Sequence, residues 1–155
     1  LELGDTSSAI RLARKAVEID PEFYEGHVTL GWALTKAKQW QSAMVELEWV
    51  LQRTPTALQP RRNLAECMLG LKRPSKAAAQ ALSALKSAPR DVSVQQLAAK
   101  MLAMALRKQP AAGLRSKAIA AIENSGNESA PLLPLIADAF RALGETTLAD
   151  AIQGS

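Results

Sequence analysis

Of the side chains that can act as a nucleophile, a base or a metal ligand, two occur once each: His27, the only histidine, and Cys67, the only cysteine. A metal site needs several such ligands at close spacing, and a nucleophile needs a base within reach. Neither pattern is present. No second histidine or cysteine completes a metal spacing, and no CxxC, GxxxxGK[ST], GxGxxG or GxSxG stretch occurs. Glu18, Glu22 and Glu25 read as solvated charges at helix ends. His27 reads as a half-buried structural histidine, and Cys67, between Glu66 and Met68, as a packing residue. No catalytic centre, metal or cofactor is therefore expected. Binding chemistry remains, carried by Trp32, by the cation and amide of Arg62 and Asn63, and by Trp49.

The composition points to helices as the elements that position these residues. The chain has 155 residues, 48% of them hydrophobic and 22% charged, which is enough for a core and speaks against disorder. Aromatic residues are scarce, while alanine and leucine are abundant, which favours helix over sheet. The alanine content leans towards a bacterial source. A net charge of +4 suits an acidic partner but lacks the dense basic stripe of a nucleic-acid protein. No apolar run approaches the roughly 18 residues of a membrane span. The opening stretch LELGDTSSAI has no basic segment followed by an apolar one. A soluble chain of the cytoplasm or periplasm is expected.

Shifting the sequence by 34 positions superposes it on itself. Pro21, Pro55 and Pro89 coincide, as do Ala9, Ala43 and Ala77. Ala13, Leu47 and Ala81 also align, and so do Ala16, Val50 and Ala84. Each period holds two amphipathic helices: Val28, Leu30, Gly31 and Leu34 mark one face, and Ala43, Leu47 and Val50 the next. Small residues such as Gly31, Ala65, Ala43 and Ala77 let paired helices approach closely. Proline lacks a backbone donor and steers the preceding residue out of helix, so each one closes a repeat.

This pattern resembles the tetratricopeptide repeat family, closely over residues 4–91 and more loosely over 92–153. Residues 24–57 match nearly every signature position, with His27 where the usual first-helix tryptophan stands, and 58–91 form the next repeat. Residues 1–23 read as half a repeat whose first helix is reduced to Leu1-Glu2-Leu3. Residues 92–126 read as a degenerate repeat, with Pro110 in the first turn of its second helix; 127–155 form a degenerate repeat and C-terminal cap. The resemblance implies an all-α fold, a right-handed superhelical solenoid of antiparallel helix pairs with about eight or nine helices in one domain. Half a repeat would leave a helix uncovered, so the chain is expected to be a piece of a longer protein.

In that family the first helices line a concave surface that binds protein segments, which implies a set of groove residues. In the 24–57 repeat these are Glu25, Val28, Thr29, Trp32, Thr35 and Lys36; in the next, Gln59, Arg62, Asn63, Glu66 and Leu69. The degenerate repeat contributes Gln95 and Gln96, with Ala99 and Leu102 nearby. Trp32 lies off the face of Leu30 and Leu34, so it is either the peptide anchor or a packing residue against the neighbouring first helix, near Leu69 or Glu66. Arg62 offers a fork to a carboxylate or pairs with Glu66. Some domains of the family clamp a C-terminal carboxylate with lysines and asparagines, but Glu66 puts an acid where an asparagine is expected. Trp40 reads as core. Trp49, one residue before Val50, reads as a convex-face contact for a partner or for weak self-association, or as a residue packed under the adjacent second helix. Lys72, Arg73 and Lys76 read as a solvated basic turn, and the polar pairs of RNA-reading helical repeats are missing. The expected function is a scaffold for a protein or peptide partner. The alternatives are a positioning module of a larger enzyme, or self-association through the convex face.

Overall fold

Each of the three recurring prolines stands second in a four-residue turn. Phe23 donates its N–H to Asp20 O, Ala57 to Thr54 O and Asp91 to Ala88 O, at 3.0, 3.0 and 3.1 Å. The fixed φ of proline suits that second position, which is why the residue recurs there. A different turn joins other helices. Lys38, Lys72 and Gly144 take φ values of 58°, 59° and 77°. The residue after each donates five positions back: Gln39 to Leu34 O, Arg73 to Met68 O and Glu145 to Phe140 O, at 2.9, 2.8 and 2.9 Å. This left-handed cap satisfies carbonyls that the helix end would otherwise leave unpaired.

The computed structural model describes residues 3–154, and those residues are all-helical, with nine helices and no strand. The chain divides into two compact units at Arg73 and Pro74, inside the third repeat. The N-terminal unit holds α1 (Leu3–Ile19), α2 (Tyr24–Lys36), α3 (Trp40–Arg53) and α4 (Leu58–Gly70). Each packs on the next in the chain, and α2 also meets α4. Of the residues read as the remnant of a lost helix, Leu1 and Glu2 lie outside the described residues, and Leu3 opens α1. A Cβ added at Gly31 would lie 2.8 Å from Leu47 Cδ2, so the missing side chain is what lets α2 and α3 close together. One added at Gly70 would run into the Trp40 indole, which packs on that bare stretch of α4.

The C-terminal unit holds α5 (Pro74–Ser87), α6 (Val92–Leu106), α7 (Leu114–Asn124), α8 (Leu132–Ala142) and α9 (Thr146–Gln153). Asp91 caps α6, its Oδ1 accepting from Ser93 N–H and Val94 N–H at 2.9 and 3.2 Å. Helix α6 packs on α5 and directly on α8, and α8 pairs with α9. Within residues 92–126, read from the sequence as a degenerate repeat, α7 lies against α9 and touches α6 only marginally. Residues 107–113 form a long connection ending in left-handed Gly113, φ 76°, so Pro110 precedes the helix instead of sitting in its first turn. The α7 position is held from elsewhere, by Arg115 donating to Ile152 O. Phe140, Ile136, Leu132, Ile122 and Ile152 are fully buried in this unit.

Candidate functional site

In the N-terminal unit, three residues of α2 and three of α4 enclose a small cavity of about 180 Å³. Val28, Thr29 and Trp32 face Gln59, Pro60 and Asn63 across it. The helical period explains the α2 wall: Val28, Thr29 and Trp32 recur on one side of the helix, off the buried positions His27, Leu30, Gly31 and Leu34, and are only partly covered. Trp32 is half-buried. It shares the cavity wall with Gln59, Pro60 and Asn63 of α4. Asn63 is only 2% exposed, and its Oδ1 accepts from Gln59 Nε2 at 3.1 Å. It is therefore a fixed wall, not an amide extended to meet a ligand.

Thr35 departs from the expected groove set. It is 2% exposed, its Oγ1 donates to Gly31 O at 2.8 Å, and it lies 3.5 Å from Cys67 Sγ. A hydroxyl that caps its own helix carbonyl inside the protein cannot reach a peptide. Glu25 and Lys36 are exposed, and Arg62, Glu66 and Leu69 are half-buried; all five lie outside the cavity lining. Cys67 is fully buried, and burial pushes its thiol above the ordinary range, with Thr35 opposing. The thiolate that reacts is thereby disfavoured.

The C-terminal unit has a wider groove, about 350 Å³, between α6 and α8. Gln96 and Lys100 line one side, and Leu135, Ala139 and Leu143 the other. Three of the residues expected there do not reach it. Ala99 and Leu102 are buried at 1% and 3%. Gln95 is turned away, its Nε2 donating to Pro89 O at 2.7 Å. Leu135, Ala139 and Leu143 were missed by the sequence reading, although their i, i+4, i+8 spacing forms a second apolar stripe beside Ile136, Ala137 and Phe140.

Trp49 is not an open convex contact. Its ring stacks on His27 at 3.7 Å between centroids and 16° between planes, and the Arg53 guanidinium lies 3.5 Å above it. Neither of these partners is an adjacent second helix, because His27 belongs to α2 and Arg53 to α3 itself. Arg53 also pairs with Glu22 at 3.1 Å. His27 bridges Glu46 Oε2 at 2.6 Å and the Pro21 carbonyl at 2.8 Å. It is 6% exposed, so the histidine in the usual tryptophan position ties α2, α3 and the proline turn together.

Among the described residues no His, Cys, Asp and Glu cluster is arranged to hold a metal, and no helix is long and apolar enough to cross a membrane. The grooves offer shape and apolar surface. A family model described as tetratricopeptide repeat matches residues 34–101, from the end of α2 into α6. No curated protein matches the chain at a significant level. Repeats of that family generally mediate protein–protein interaction and are typically non-catalytic.

Proposed function

Because the chain carries tetratricopeptide repeats over residues 34–101, we propose that its N-terminal unit receives one bulky apolar side chain of a partner peptide beside Trp32. The observation that carries this reading is the half-buried indole on the wall of a formed cavity sized for one side chain. A large, rigid aromatic surface of this kind is a typical anchor of binding energy. The opposite wall is already set, by the ring of Pro60 and by the Gln59–Asn63 hydrogen bond, so little ordering remains to oppose binding. Glu25, Lys36, Arg62, Glu66 and Leu69 supply a mixed polar rim for the rest of the peptide.

In the C-terminal unit, the aliphatic groove of Gln96, Leu135, Ala139 and Leu143 offers a second receptor of the same kind. The role is assembly of a larger complex, without cofactor. A positioning module for an enzyme would use these same grooves. Self-association through Trp49 is the less favoured reading, since His27 and Arg53 both pack on its ring.

The test is capture of partners from source-cell extract with the parent chain and with Trp32→Ala, after matching circular dichroism shows that both are folded. A partner that binds the parent and is lost with Trp32→Ala supports the reading. Equal retention by both baits overturns it.

A further inference from the structure

A different cavity lies in the C-terminal unit, and its lining shares no residue with that of the α6–α8 groove. The end of α5, the α5–α6 turn and the loop between α7 and α8 enclose about 550 Å³ there, within the range of ligand sites. Exposed Pro89 and Pro131 contribute the accessible apolar part of the lining, over buried Leu85 and Leu132, and exposed Lys86 and Arg90 contribute two cations. Among the described residues, neither cation has an acid within salt-bridge distance.

The walls are tied in place. Asn127 Nδ2 donates to Leu82 O on α5 and to Ser125 Oγ, both at 2.9 Å, which pins the loop to the helix. The chain turns into that loop through Gly126 at φ 82°, where Asn127 N–H caps α7 by donating to Ile122 O at 3.2 Å. A Cβ at Gly126 would come within 3.4 Å of Lys86 Nζ, so the lysine ammonium lies close over this turn. On the α6 side, the Gln95 amide is held by Pro89 O. The cavity is thus formed before any ligand arrives.

Its chemistry selects a ligand. Two uncompensated cations beside an apolar lining suit a carboxylate joined to an apolar body. Glu128 lines the same cavity, repelling a polyanion and offering an acceptor to a peptide N–H. The lining has no aromatic ring on which a base could stack. Together these features favour a peptide over a nucleic acid or a phosphate-rich nucleotide. We propose that this cavity binds a peptide segment of a partner protein, with one glutamate or aspartate carboxylate on Lys86 and Arg90 and a neighbouring apolar side chain against Pro89 and Pro131. The site is separate from the Trp32 cavity and does not depend on it.

The test is an NMR titration of the isotope-labelled chain with a short, capped peptide carrying a single glutamate between leucines. Controls are the same peptide with glutamine for glutamate, and hexanoate as a small carboxylate. The expected result is shifts at the amides of Lys86, Arg90, Gln95 and Gly126, with the glutamine peptide about tenfold weaker. Lys86→Glu/Arg90→Glu should weaken the acidic peptide by about tenfold or more, and Lys86→Ala/Arg90→Ala should do so with no reversed charge. Trp32→Ala should leave these shifts unchanged, which separates this site from the groove. Absent shifts, or equal binding by the charge variants, would overturn the proposal. Hexanoate binding as tightly as the peptide would also overturn it, by marking a small-molecule pocket.

Discussion

The pairs α2–α4 and α6–α8 show two ways of bringing helices two apart in the chain into contact. In the N-terminal unit the intervening helix, α3, packs on both α2 and α4, and Gly31 lets it sit close to α2. In the C-terminal unit the intervening helix, α7, stands off α6, and α6 packs directly on α8. Ala98, Ala99 and Ala103 on α6 and Ala137 on α8 are buried and carry little side-chain bulk to hold packed helices apart. The first arrangement leaves a small pocket walled by a tryptophan and a proline; the second leaves a wider aliphatic groove. Small residues set how near two helices come, and the residues just off the buried stripe set what the resulting groove can bind.

The largest expected effect tests whether the C-terminal unit depends on its direct α6–α8 contact as the N-terminal unit depends on α3. Phe140 is fully buried on α8, and Leu47 is fully buried on α3. Phe140→Ala should cost about 3–5 kcal/mol and Leu47→Ala about 2–5 kcal/mol, measured by urea unfolding. A loss below 1 kcal/mol at Phe140, on the order of a surface change, would mean that α8 is not a core element.

A smaller effect is expected at the close approach of Trp40 to α4. Gly70→Ala should destabilise by about 1–3 kcal/mol through overpacking against the indole, despite alanine's better helix propensity. Adding Trp40→Ala should remove most of the penalty attributable to the new methyl. If Gly70→Ala alone stabilises the chain, the indole is not seated there.

The smallest effect compares one turn in the two units. The left-handed position is lysine at Lys38 and Lys72 but glycine at Gly144, and the five-back hydrogen bond is the same in all three. A Cβ is disfavoured in that conformation. Lys38→Gly and Lys72→Gly should each stabilise by about 0.5–1 kcal/mol, whereas Gly144→Ala should destabilise by about 1 kcal/mol, read from thermal unfolding. Opposite signs would show that the lysine side chains make contacts outweighing the backbone strain.

These positions also show how far the sequence could be read. The proline turns were legible because proline's φ is a local property, repeated at one interval. The left-handed turns were not, because lysine gives no signal for the conformation that Gly144 advertises in the equivalent place. Trp32 was legible as a residue off the buried stripe, and its counterpart stripe on α8 was present in the sequence but overlooked. Gln95 could not be placed, since its orientation depends on a carbonyl in the preceding turn.

By itself, the sequence determined the period, the helical class and the faces that are buried, since each follows from local geometry: 3.6 residues per turn, a fixed proline φ and small residues at crossings. Only the tertiary structure decided which of the remaining side chains stay open. Trp32 and Trp49 both sit off a buried stripe, yet one lines a cavity and the other is packed by His27 and Arg53. Thr35 was assigned to the groove by the family resemblance and is inside, beside Cys67 from another helix. Exposure of such a residue depends on what a distant segment places over it, and no local pattern along the chain carries that information.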